Sequence, residues 1–168
     1  MELKKFFLEQ LEREAVASRK AVERVPEGQN GWKPHERSMK LGYLAALVAS
    51  MPGWLALMIE RDELDLDGGE GATFRTKEVQ TSAELLTMLE DGLAKSRAAL
   101  ENTAEEHLMT PWRLVMGGQV LTEGPRYVMI ADGALSHLAH HRGQLTVYLR
   151  LNEAKVPAIY GPSADEWH

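Results

Sequence analysis

Four stretches of this chain repeat apolar residues every three to four positions, and each is bounded by proline, glycine or a capping residue. That pattern commits the chain to amphipathic helices that must bury their apolar faces against one another. The first runs from about Glu2 to Val25 and stops before Pro26-Glu27-Gly28. On a helix, Leu3, Phe7, Leu11, Ala15, Val22 and Val25 share one stripe, while Lys4, Glu12, Arg13 and Lys20 fall outside it. The second opens at Ser38, a residue suited to an N-cap, and carries Leu41, Leu44, Val48, Met51, Leu55 and Met58 on one face. Pro52 lies inside that pattern and is expected to kink or break it. The third begins near Thr81-Ser82, with Glu84 placed to support a cap, and runs to about Thr103 with Leu85, Leu89, Leu93, Ala99 and Leu100 inward. The fourth starts at Pro125, a good first-turn residue, and continues to about Asn152.

The connections complete the fold. Asp62 to Gln80 is glycine-rich at Gly68-Gly69 and Gly71 and reads as an exposed crossover loop. Arg113 to Met116 and Gln119 to Thr122 flank Gly117-Gly118, which predicts a small β-hairpin between helices three and four. The expected fold is all-α, an up-and-down four-helix bundle with long crossover loops and that hairpin, forming one domain over residues 1–168. A chain of this length buries a sizeable core without staples.

Composition narrows the chemistry. The chain has no cysteine, which removes disulfides, thiolate metal sites and cysteine nucleophiles, so any metal must be held by nitrogen and oxygen. Its formal net charge of −6 argues against nucleic acid, whose phosphates want a basic stripe. The N-terminal residues lack the uninterrupted apolar run of a signal peptide. The most apolar stretch, Leu41 to Ile59, is interrupted by Ser50, Pro52 and Gly53, which argues against a membrane span. The expected setting is cytoplasmic.

The densest cluster of reactive side chains is Ser136-His137-Leu-Ala-His140-His141-Arg142-Gly143-Gln144. His137 and His141 are i and i+4, so their side chains meet on one face of helix four. That face also holds Ile130, Ala134 and Tyr148, so both imidazoles are expected to point into the bundle. A buried imidazole without a partner costs about 1–3 kcal/mol, and it is satisfied by a hydrogen bond or by a divalent ion. Spacing leaves both open. His140 projects to the edge of the stripe, and Arg142 and Gln144 read as surface groups or as groups behind the pair.

The run from His137 through His-Arg-Gly-Gln to Arg150, followed by Val156-Pro-Ala-Ile-Tyr-Gly-Pro-Ser-Ala-Asp-Glu166, resembles the C-terminal signature of the DinB/YfiT-like metalloenzymes. Trp32 to Gly42 resembles that family's approach to helix two. The resemblance implies a four-helix bundle with a divalent site, commonly nickel or zinc, held by three histidines. Two of those ligands fall on His137 and His141. The third, from helix two, falls on Leu47, which cannot coordinate and is suited instead to filling core space. His35 lies roughly 18 Å before Leu47 along a helix, His107 follows helix three, and His168 ends the chain.

Glu14 is the other polar group on an inward stripe, its carboxylate expected to snorkel to a rim or to complete a two-histidine, one-carboxylate site. Ser18 beside it reads as a small packing residue. Trp32 and Trp54 are expected to cap the core, and Trp112 to start the hairpin. Tyr148 either packs or bonds an imidazole, while Met51, Met58, Met88 and Met129 read as gap fillers. Relatives in the resembled family include thiol-dependent S-transferases and isomerases. The functional expectation from the resemblance is therefore a metal-dependent protein with a degenerate nickel or zinc site at His137 and His141, either transferring a low-molecular-weight thiol or acting as a related hydrolase-like enzyme. The alternative is a metal-free ligand-binding or protein-interaction bundle with a structural histidine pair. Val16 and Leu8, apolar outside the main stripe, suggest a homodimer.

Overall fold

The four helical stretches fold as helices, and the computed structural model, which describes residues 2–67 and 79–167, shows what ends each of them. Helix α1 is Leu3–Val22. It stops three residues before Val25 because the amides of Arg24 and Val25 reach back only three residues, to Ala21 and Val22, tightening the chain into a turn. Val25 still enters the core. Helix α2, Leu41–Ser50, has Lys40 rather than Ser38 at its N-cap, with no side-chain cap bond. The orphan amides of its first turn are met by backbone instead: Leu41 donates to the Trp32 carbonyl at 2.8 Å and Gly42 to that of Asn30 at 3.0 Å. A Cβ on residue 42 would stand 2.8 Å from that of Asn30, so this close approach requires glycine.

Pro52 breaks the second helix outright. A 3₁₀ turn, Met51–Gly53, separates α2 from α3, Trp54–Glu60. The break is repaired from α4, Ser82–Asn102, whose Ser96 hydroxyl donates to the Pro52 carbonyl at 2.6 Å and accepts from the Ala56 amide at 3.1 Å. Gly53 and Gly92 let the two helices touch, since a Cβ on residue 92 would lie 2.9 Å from the Gly53 nitrogen. By length and composition the Leu41–Glu60 run would suffice to cross a membrane, yet 72% of its most apolar window is buried inside the protein. At the start of α4, Thr81 and Glu84 form the expected capping box.

The hairpin forms with longer strands than expected: β2 is Pro111–Met116 and β3 Gln119–Pro125, joined through Gly117 and Gly118, both at positive φ. A third strand, β1 (Glu63–Asp65), pairs parallel with β2, so the fold is a helical bundle with a small three-stranded sheet. β1 occupies the beginning of the stretch expected to be loop; Gly68-Gly69 and Gly71 lie outside the described residues. The last helical stretch is α5 (Arg126–Ile130), a π-helical segment (Ala131–Ser136) and α6 (His137–Leu151). Phe7, Leu11, Leu44, Leu55, Leu89 and Leu145 are among the fully buried residues of the core the helices share. Leu8 packs against that core, while Val16 is 53% exposed.

Candidate functional site

The π-helical segment decides how the histidines are presented. Its i→i+5 bonds widen the turn just before His137. The buried positions then fall at Ile130, Ala134 and Leu138, four residues apart, rather than drifting toward His137. His141 is consequently buried and His137 exposed, whereas uniform helical periodicity placed both inward. The two rings still meet. Their Nε2 atoms are 2.9 Å apart.

Gln144, one turn further along α6, sets the state of that contact. Its Oε1 lies 2.8 Å from His141 Nδ1, so Nδ1–H donates to the amide oxygen. His141 Nε2 is then left as the acceptor, facing a donor on His137. Burial is the main influence on the His141 imidazole and pushes its pKa below the ordinary histidine value; the Gln144 bond opposes this, while His137 and His140 add to it. His141 is therefore neutral at physiological pH, with a lone pair on Nε2. His140 is exposed, at the edge as expected, and its ring lies edge-on to His141 at 5.0 Å.

Helix α3 supplies the wall of the site. The Trp54 ring packs edge-on against His137 at 5.7 Å, a closer role than capping the core. Beside Trp54 a groove of about 900 Å³ opens between α3 and α4, lined by Leu57, Met88 and Gly92. Trp32 packs on Tyr148 at 5.5 Å, and the Tyr148 hydroxyl donates to the Met39 carbonyl at 3.2 Å, not to an imidazole. Trp112 is buried in β2.

The remaining candidates lie elsewhere. Leu47 is 7% exposed and belongs to the core. His35 Nδ1 accepts from the Arg37 amide, and His107 Nε2 donates to the Ile59 carbonyl at 2.7 Å. His168 lies outside the described residues. Glu14 neither snorkels nor joins the histidines: its carboxylate is buried and bonded to Arg142 and Tyr160. Arg142, expected either at the surface or behind the pair, is buried, at 1% exposure. Ser18 is buried and accepts from Arg142, more than a packing residue. Two polar residues one turn apart on an apolar stripe, Glu14 and Ser18, were the signal in the sequence that a cation must reach them. Among the described residues no group of three histidine, aspartate or glutamate side chains converges as a metal cage. The pair would offer an ion two nitrogen donors, and Leu47, where the family resemblance implies a third ligand, is a core residue.

Comparison with known proteins identifies the fold and the family. The model of the DinB family matches residues 1–168. The uncharacterized protein YrdA of Bacillus subtilis (strain 168) is 32% identical over 96 residues, which cover 53% of this chain and 51% of YrdA. The match thus spans about half the length of that relative. The crystal structure of a DinB-like protein, YjoA of Bacillus subtilis, shares the fold with a TM-score of 0.66 over 96% of this chain and 98% of YjoA, at 19% identity. Matched along its whole length by one family model, the chain belongs to the DinB family.

Proposed function

We propose that the His137–His141 pair is the working site of this protein, a two-nitrogen site for nickel or zinc that is weaker than a three-histidine one, and that it serves the transfer of a low-molecular-weight thiol to an electrophile. The observation that supports this reading is the Nε2-to-Nε2 approach of 2.9 Å, with Gln144 holding the far nitrogen of His141. A partner on the outer nitrogen is what fixes ring and tautomer in metal-binding histidines. When bound, the ion would supply Lewis acidity that lowers the pKa of a thiol. The protein's own part is preparation. Burial keeps His141 unprotonated, Gln144 holds its ring, and exposed His137 leaves the pair open to solvent. Leu47, a core residue, offers no third nitrogen, which would leave positions on the ion for exogenous ligands. Trp54, which packs against His137, also lines the groove between α3 and α4 that would receive an electrophile.

A second reading, a metal-free bundle, is favoured by one specific fact: the two imidazoles already satisfy each other directly. The two are separated by melting the untagged protein with zinc or nickel, then with chelator. Binding to the native state raises the melting temperature by mass action, and His141→Gln abolishes the response. Leu47→His adds a nitrogen ligand from α2 and increases zinc affinity in calorimetry. Wild-type melting that is unchanged by added ion or by chelator leaves only the metal-free bundle.

A further inference from the structure

A second polar knot lies one residue along α6 from His141, and the thiol chemistry above does not call on it. Arg142 Nη1 donates to the Ser18 hydroxyl at 3.1 Å and to the Glu14 carbonyl at 3.3 Å. Its Nη2 donates to Glu14 Oε2 at 2.5 Å and to the Tyr160 hydroxyl. That hydroxyl donates in turn to the same Oε2 at 2.8 Å, and the guanidinium carbon lies 5.2 Å from the centre of the Tyr160 ring. Three parts of the chain meet here: α1, α6 and the C-terminal segment. The segment is held further along by Glu166 on Arg24 and Asp165 on Arg150.

Stability alone does not explain burying these charges. Apolar residues of similar volume commonly replace a buried ion pair at no cost. What the pair adds is direction. Guanidinium is a rigid planar fork, and Glu14 and Ser18 present their oxygens one turn apart on α1. Apolar packing tolerates a small roll of a helix about its axis, but a fork bonded at both prongs does not. His141 precedes Arg142 on the same turn, so the roll that Arg142 fixes is the roll that aims His141 Nε2. Working sites need their groups held to about 0.5 Å and 10–20°.

We propose that Arg142, gripped by Glu14, Ser18 and Tyr160, is the positioning residue of the histidine pair, and that docking of the C-terminal segment through Tyr160 is part of that setting. The inference rests on His137 and His141 being the working site. Its test uses Arg142→Lys and Tyr160→Phe in the full chain, with Glu90→Gln as a control that removes only an exposed pair to Arg19. Circular dichroism reads the fold, two-bond ¹H–¹⁵N spectra read the imidazole nitrogens, and calorimetry reads zinc affinity. The expected result is a folded Arg142→Lys protein with zinc affinity reduced about tenfold, the low end for groups that orient ligands. Tyr160→Phe follows by a smaller factor, and both variants shift the His137 and His141 nitrogen signals while Glu90→Gln shifts neither. Variants that melt earlier but keep wild-type imidazole spectra and zinc affinity overturn the proposal. If Arg142→Lys does not fold, Tyr160→Phe decides, since it deletes one hydroxyl. If the wild type takes up no zinc, the metal reading fails, and the imidazole spectra of Tyr160→Phe still settle positioning: shifted supports it, unshifted overturns it.

Discussion

Arg126 and Arg142 are both sealed from solvent, at 0% and 1% exposure, yet the atoms that receive them differ in kind. Arg126 is met largely by backbone. Its Nη1 donates to the carbonyls of Met58 and Arg61 at 2.5 Å each, at the end of α3, where helical carbonyls lack partners. A cation there also faces the negative end of the helix. Arg142 is met mostly by side chains: a carboxylate, a serine hydroxyl and a tyrosine hydroxyl from distant parts of the chain, with one backbone carbonyl, that of Glu14, at 3.3 Å. The difference teaches what each cation can be exchanged for. Backbone carbonyls cannot be substituted away, whereas side-chain partners can be replaced together with the cation.

The largest expected effect follows directly. Arg126→Met strands the carbonyls at the end of α3 and lowers stability by about 3–5 kcal/mol in urea unfolding, since each buried acceptor left without a donor costs about 1–3 kcal/mol. No substitution of a partner side chain restores it. Arg142→Met alone strands the Glu14 carboxylate at a similar or slightly lower cost, but Glu14→Leu with Arg142→Met returns to within about 1 kcal/mol of wild type. That double variant sharpens the contrast, because its stability recovers while the wild-type imidazole spectrum does not. Equal recovery in both would reduce Arg142 to a structural residue. A double variant as unstable as Arg142→Met alone would erase the distinction between the two arginines.

The same distinction explains what could be read from the sequence. Features whose cause is local were legible: the Thr81–Glu84 capping box, the break at Pro52 and the Gly117-Gly118 turn each carry their physics within a few residues. β1 was not, because three residues carry little periodicity and its partners Arg113 to Val115 stand about fifty positions away. The histidine pair was legible as an i, i+4 face, but not its division into a buried and an exposed ring. That division comes from the π-helical segment, which periodicity at a constant angle cannot anticipate. Spacing leaves Arg142 open between the surface and a place behind the pair for a related reason: its burial depends on Glu14 and Ser18, more than 120 positions earlier, and on Tyr160 folding back.

A smaller effect tests the histidine end of the molecule against the arginine knot. His141 has its folded pKa lowered, chiefly by burial. In the unfolded chain it titrates near the ordinary value of about 6.5. Above that pH both states hold it neutral and its contribution to stability is complete. As pH falls through that value toward the folded pKa, the unfolded state takes up a proton that the folded state resists, and stability is lost. Melting temperature is therefore expected to decline between about pH 7 and pH 5, and His141→Gln to flatten that part of the profile. An identical slope in the variant assigns the decline to other groups.

The weakest effect is expected at the carboxylate that pairs with Arg126 among the described residues. Asp62 sits 2.6 Å from Arg126 Nη2, a distance comparable to Glu14 on Arg142, but its side chain is 86% exposed where that of Glu14 is 9% exposed. Water and salt screen Asp62, and the backbone carbonyls already satisfy the guanidinium. Asp62→Asn is therefore expected to cost at most about 1 kcal/mol, falling further at high salt. Its unfolding curve at low and at high ionic strength checks both points. A loss as large as that of Arg126→Met would mean the cation is held by its charge partner after all, and would place the two arginines in the same class.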